Sequence, residues 1–125
     1  MAKEIILTDQ APAPIGPYSQ AVRHGNTLYV SGQIPFTADG NFVSGTVEIQ
    51  TKQVMLNLKA ILDAAGLTFE NVVKCSIFIK DMNDFAAING VYGSFFGEDA
   101  PARETVEVAR LPKDVLVEIS CIAVA

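Results

Sequence analysis

The chain is poor in the residues that most catalytic chemistry draws on. It has one histidine, His24, and two cysteines, Cys75 and Cys121. That leaves little material for His-based zinc sites or for Ser-His and Cys-His nucleophilic catalysis. His24 precedes Gly25-Asn26 and belongs beside a hairpin turn. Both cysteines fall inside apolar strand patterns, which reads as two buried thiols rather than a disulfide. With no signal-peptide pattern, they point to a reducing, cytoplasmic compartment. Basic residues are also few: 9 Lys and Arg stand against 14 Asp and Glu, for a formal net charge of −5. They are scattered, whereas a phosphate backbone needs clustered cations, so nucleic acid is not an expected partner. No apolar run approaches the roughly 20 residues of a membrane span. Charged residues make up 18% of the chain and hydrophobic ones 50%. For one small domain that balance is apolar, and another chain is expected to cover part of the surface.

At 125 residues the length suits a single domain with a core of its own. Residues 3–7 predict a short strand. The run 11–17, APAPIGP, carries three prolines and a glycine and predicts an ordered loop or extended arm that delivers Tyr18 to a fixed position, either as a packed aromatic or as a site residue. Residues 19–24 and 27–33 read as a hairpin across Gly25-Asn26. The second arm ends in Ser31-Gly32, where a glycine marks either a close approach of ligand or backbone, or a bulge. A loose loop over 34–45 follows.

From Thr46 to Ala65 the period becomes helical, with Val47, Val54, Leu58, Ile61, Leu62 and Ala65 on one stripe and Glu48 and Lys52 paired on the outer face. Thr46 is the expected N-cap and Gly66 the stop. Residues 72–80 predict a strand with Val73, Cys75, Ile77 and Ile79 on one face. A second helix is expected over about 84–96, capped by the run 81–84, with Phe85, Ile88, Tyr92 and Phe95 or Phe96 buried.

The C-terminal stretch 101–119, PARETVEVARLPKDVLVEI, reads as two neighbouring strands, 101–110 and 115–124, around a Leu111–Asp114 turn. It holds the two residues that need explaining: Arg103 at the start of one strand and Glu118 inside an otherwise apolar one. A structural ion pair, or a glutamate whose face reaches solvent, is one reading. The other is a site in which Arg103 grips a small carboxylate through two parallel hydrogen bonds and Glu118 orients or activates a water. The sum is β-β-β-α-β-α-β-β, an α+β domain with both helices on one face of the sheet. Because the last strand is apolar on both sides, a symmetric oligomer is expected to bury the second face.

PAR, VEVARLP and VEI at Pro101–Arg103, Val106–Pro112 and Val117–Ile119 resemble the signature of the Rid/YjgF family of reactive-intermediate imine and enamine deaminases. GPYSQAV at Gly16–Val22, LYVSGQI at Leu28–Ile34, AAGL at Ala64–Leu67 and IKDMNDFAAIN at Ile79–Asn89 match in the same order, so the resemblance covers nearly the whole chain. It implies a chorismate-mutase-like fold, a homotrimer with intersubunit sites, and hydrolysis of 2-imino acids such as 2-iminobutanoate and 2-iminopropanoate to 2-keto acids and ammonia. Neither metal nor organic cofactor is implied. Arg103 would bind the substrate carboxylate and Glu118 would position the water. Tyr18, Ser31, Gly32 and Asn89 would line the cleft, with the backbone of Thr105 facing the reacting carbon. The chain departs from the pattern at Glu104, where a small residue is usual, and at Thr105, where cysteine is common. Strand alternation should turn Glu104 away from Arg103. Two other functions compete: a non-catalytic trimer that binds a keto or amino acid in the same cleft, and the ribonuclease or translation-inhibitor activity ascribed to some relatives. The acidic balance and the single histidine disfavour the last.

Overall fold

A computed structural model describes residues 2–125. The element order is β1 (Glu4–Ile6), β2 (Ala21–His24), β3 (Thr27–Gln33), α1 (Val47–Ala64), β4 (Val72–Ile79), α2 (Phe85–Gly93), β5 (Ala102–Glu107) and β6 (Val117–Val124). The sequence pattern anticipates this order. The strands form one mixed sheet in the order β1-β2-β3-β6-β4-β5, in which only β4 and β5 run parallel.

That order corrects one expectation. The strands of Arg103 and Glu118 are not neighbours, because β4 lies between them and pairs with both. A 3₁₀ turn over Pro112–Asp114, with Lys113 and Asp114 at positive φ, carries the chain back past β4 rather than closing a hairpin.

Local signals explain most boundaries. Gly25 takes φ +61° in the β2–β3 turn, a conformation cheap for glycine. Thr46 caps α1 by accepting from the Ile49 N–H at 3.3 Å, and Gly66 ends it at φ +75°. Val54, Leu58, Ile61 and Leu62 are fully buried, and truncating one such leucine to alanine costs about 2–5 kcal/mol.

Four details differ from the sequence reading. On α1 the ion pair four residues apart is Lys59–Asp63 at 2.9 Å, not Glu48–Lys52. In β4 a register shift between Val72 and Lys74 turns Val73 outward, to 49% exposed, and Val72 inward. The second helix stops at Gly93, two glycines in four residues being too weak to carry it further. Its Phe85 is 40% exposed rather than buried.

Both helices cover one face of the sheet, over Cys75, Ile77 and Ile79 of β4 and Val117, Ile119 and Cys121 of β6. Three buried amides fix the adjoining loops. Asn57 on α1 donates to the carbonyls of Ile34 and Phe36, at 3.1 and 2.9 Å. Gln50 accepts from the Leu116 N–H at 3.0 Å. Gln20 takes the Thr8 N–H at 2.7 Å and donates to the Pro12 carbonyl at 2.9 Å. The proline-rich segment before Tyr18 is therefore an ordered loop. The opposite sheet face is open, and register lines Ile5, Val22, Tyr29 and Ile122 up across four strands on it. Tyr29 is 51% exposed.

Candidate active site

The bulge in β3 builds the first recess. Val30 pairs with Cys121 and Gln33 with Ile119, so Ser31 and Gly32 together oppose the single residue Ser120. The bulge reading of Gly32 holds, and what comes close to it is a side chain rather than a ligand or another backbone. Gly32 sits in a bulge, and a Cβ there would lie 2.7 Å from Glu118 Oε2. Glu118 points to the open face, in register with Phe78 of β4 and, beyond it, Val106 of β5. Burial among these neighbours raises its carboxyl pKa above the ordinary value of 4.5.

Tyr18, Ser31, Gly32 and Glu118 line one depression of about 330 Å³, with Ile15, Ile34 and Pro112 as its apolar walls. The Tyr18 ring folds back over its own loop, its hydroxyl accepting from the Ile15 N–H at 3.2 Å. Ser31 Oγ donates to the Ser19 carbonyl at 2.6 Å, so its lone pairs remain available for a ligand. Sequence reasoning did not pick out the three apolar walls, which have no chemistry-bearing pattern.

Arg103 lies elsewhere. It is in register with buried Cys75 and so faces the helices. Its Nη1 donates to Asn89 Oδ1 at 2.7 Å, and its guanidinium carbon lies 5.5 Å from the Phe85 ring centroid and 5.1 Å from that of Tyr92. The ion pairs among the described residues are Lys59–Asp63, Lys74–Glu104 and Arg110–Asp114. None involves Arg103, so the structural ion-pair reading falls within this chain. Glu104 does turn to the other face, where Lys74 pairs with it at 3.0 Å and Ser76 Oγ donates to it. The Ser76 bond first, and Lys74 with it, hold its carboxyl below the ordinary range. Glu104 therefore does not pair with Arg103. Thr105 shares the Arg103 face by alternation, and its hydroxyl is buried without a hydrogen-bond partner among the described residues.

One chain thus gathers Tyr18, Ser31, Gly32 and Glu118 in one place and Arg103 with Asn89 in another, on opposite faces of the sheet. Phe85 and Tyr92 were read from the sequence only as core. Their spacing with Asn89, i, i+4 and i+7, is the signal that one helix face meets one partner.

The fold and these recesses define a small α+β protein whose polar site residues are divided between two surfaces. Residues 8–125 match the family model described as Endoribonuclease L-PSP. The chain is 56% identical over 122 residues to a RutC family protein of Pyrococcus horikoshii, covering 97% of each. Among solved structures, the Rid-family protein YyfA of Yersinia pestis superposes with a TM-score of 0.96 at 48% identity, over 99% of this chain and 100% of that one. TdcF of E. coli, crystallised with bound serine, has a TM-score of 0.93 and 46% identity over 98% of each chain. The chain belongs to the Rid/RutC (YjgF) family.

Proposed function

We propose that this protein hydrolyses 2-imino acids, the tautomers of enamines released by pyridoxal-phosphate enzymes, to 2-keto acids and ammonia. The working unit in this reading is a cytoplasmic homotrimer with its sites between subunits. The observation that carries it is the separation of Arg103 from Glu118. An un-neutralised guanidinium sits at an edge strand and a desolvated carboxylate on an open apolar face, where a second copy covering that face can bring the two together. Two buried, free thiols, Cys75 and Cys121, suit a reducing compartment.

The chemistry asks little. Arg103 holds the substrate carboxylate, and the imine carbon is already electrophilic. Glu118 takes a proton from a water as its oxygen bonds to that carbon, and the C=N electron pair moves to nitrogen. Glu118 returns that proton to nitrogen, giving the carbinolamine; it then takes the remaining hydroxyl proton as the keto C=O forms and passes it to the departing nitrogen, so that the C–N bond breaks and ammonia leaves. A carboxyl with a raised pKa suits a group that must both accept and donate. The steps need no metal or organic cofactor. General base help of this kind is worth about 10²–10⁴-fold, enough for a labile substrate.

The test is keto-acid formation from 2-iminopropionate and 2-iminobutyrate, generated by an amino-acid oxidase with catalase and intercepted by semicarbazide. Wild type should outcompete the trap and Arg103→Ala should not. A wild-type rate equal to buffer sinks the reading. A second reading, a ligand-binding trimer without turnover, is favoured by the serine bound to TdcF. It shares Arg103 but does not need Glu118.

A further inference from the structure

Three α2 residues on one helix face meet Arg103: Phe85, Asn89 and Tyr92. A guanidinium has five N–H donors. The bond from Nη1 to Asn89 uses one, and a cation over a ring face is held by the π cloud and uses none. The Nε–Nη2 edge, one of the two parallel forks that fit a carboxylate, is left uncommitted among the described residues. An Asp or Glu in place of the rings would fix the side chain equally well, but it would occupy a fork and cancel the charge. Phe85 supports this account by its exposure. It is 40% exposed at the start of α2, too open for a core residue, yet its ring lies against the guanidinium. Tyr92 is only 5% exposed. The Cys75 thiol lies beside its hydroxyl, which makes no hydrogen bond of normal geometry among the described residues. The ring is therefore the part of Tyr92 that acts on Arg103.

We propose that Phe85 and Tyr92 are positioning residues, seating the Arg103 guanidinium between ring faces so that its free fork stays charged and presented to a small-molecule carboxylate. Asn89 acts with them through Arg103. The proposal deepens the reading of Arg103 as the carboxylate site and rests on it, but it does not require turnover.

The test uses the full chain and two readouts: 2-ketobutyrate affinity by titration calorimetry and the steady-state constants for imine hydrolysis. Phe85→Leu keeps apolar volume at an exposed position and threatens the fold little. It should weaken 2-ketobutyrate about 3- to 10-fold and raise KM by the same factor, with kcat within about twofold. Phe85→Trp, which restores a ring face, and Tyr92→Phe, which keeps one, should stay within about twofold of wild type. A merely structural role would lower the melting temperature without this ring dependence. Unchanged affinity in Phe85→Leu overturns the proposal, as does a Phe85→Trp variant that melts like wild type but binds like Phe85→Leu. If wild type binds 2-ketobutyrate and hydrolyses nothing, the deaminase reading fails and the affinity comparison still decides this one. If wild type does not bind 2-ketobutyrate, the seat has no such ligand to serve and the proposal falls.

Discussion

The carboxylate of Glu118 occupies the space that a side chain at residue 32 would need, its Oε2 lying 2.7 Å from an ideal Cβ on Gly32. The obstructing atoms belong to the flexible end of Glu118, so Gly32→Ala can be accommodated by moving the carboxylate rather than the backbone. The variant should fold and melt near wild type, and on the proposed deaminase reading hydrolysis should fall about 10- to 100-fold, because Glu118 would be displaced from the water it positions. A variant that unfolds, or one with full activity, contradicts this placement.

Glu118 also sets a pH dependence. Its native carboxyl pKa is raised by burial. With Glu118 as the proposed base, the rate should therefore fall with acid, starting at a higher pH than for an exposed carboxylate, as it is protonated. Stability moves in the opposite sense. Between the ordinary value and the raised native value, the folded protein holds a proton that the unfolded chain has released. Stability from this group is thus greatest below the ordinary value and is lost as pH rises through the native one. Glu118→Gln removes that loss. At neutral pH it should melt no lower than wild type while turnover drops about 10²-fold or more and 2-ketobutyrate still binds. Loss of binding along with turnover would assign Glu118 to ligand affinity instead.

Arg103→Ala and Glu118→Gln should each be inactive alone yet complement when mixed. If a site takes Arg103 from one subunit and Glu118 from its neighbour, random assembly gives about a quarter of sites with both native groups. After co-refolding the two variants, activity should return toward about a quarter of wild type, with a trimer mass by light scattering. Tyr29→Glu, placing a charge on the open apolar row, should block both assembly and complementation. Absence of recovery in a confirmed mixed oligomer would put the complete site within one chain.

The hydroxyl of Thr105 is buried without a partner among the described residues, and an unpaired buried hydroxyl costs about 1–3 kcal/mol. Thr105→Val keeps the shape and removes that cost, so the melting temperature should rise, by about 3–6 °C for each kcal/mol recovered. A fall in melting temperature would mean that the hydroxyl is bonded in the assembled protein.

Local rules of the chain settled much of this molecule. Period and capping residues determined six strands and two helices in order, the hairpin at Gly25-Asn26, the Thr46 cap and the Gly66 stop, and alternation turned Glu104 away from Arg103. All of these follow from interactions within a few residues. Packing decided the rest. That β4 enters between β5 and β6, that the β3 bulge makes room for the Glu118 carboxylate, and that Phe85 leaves the core for Arg103 depend on partners far apart in the chain. Strand order and close approach are long-range outcomes, so the residues that suggested a site could not say that they lie on two faces of one sheet.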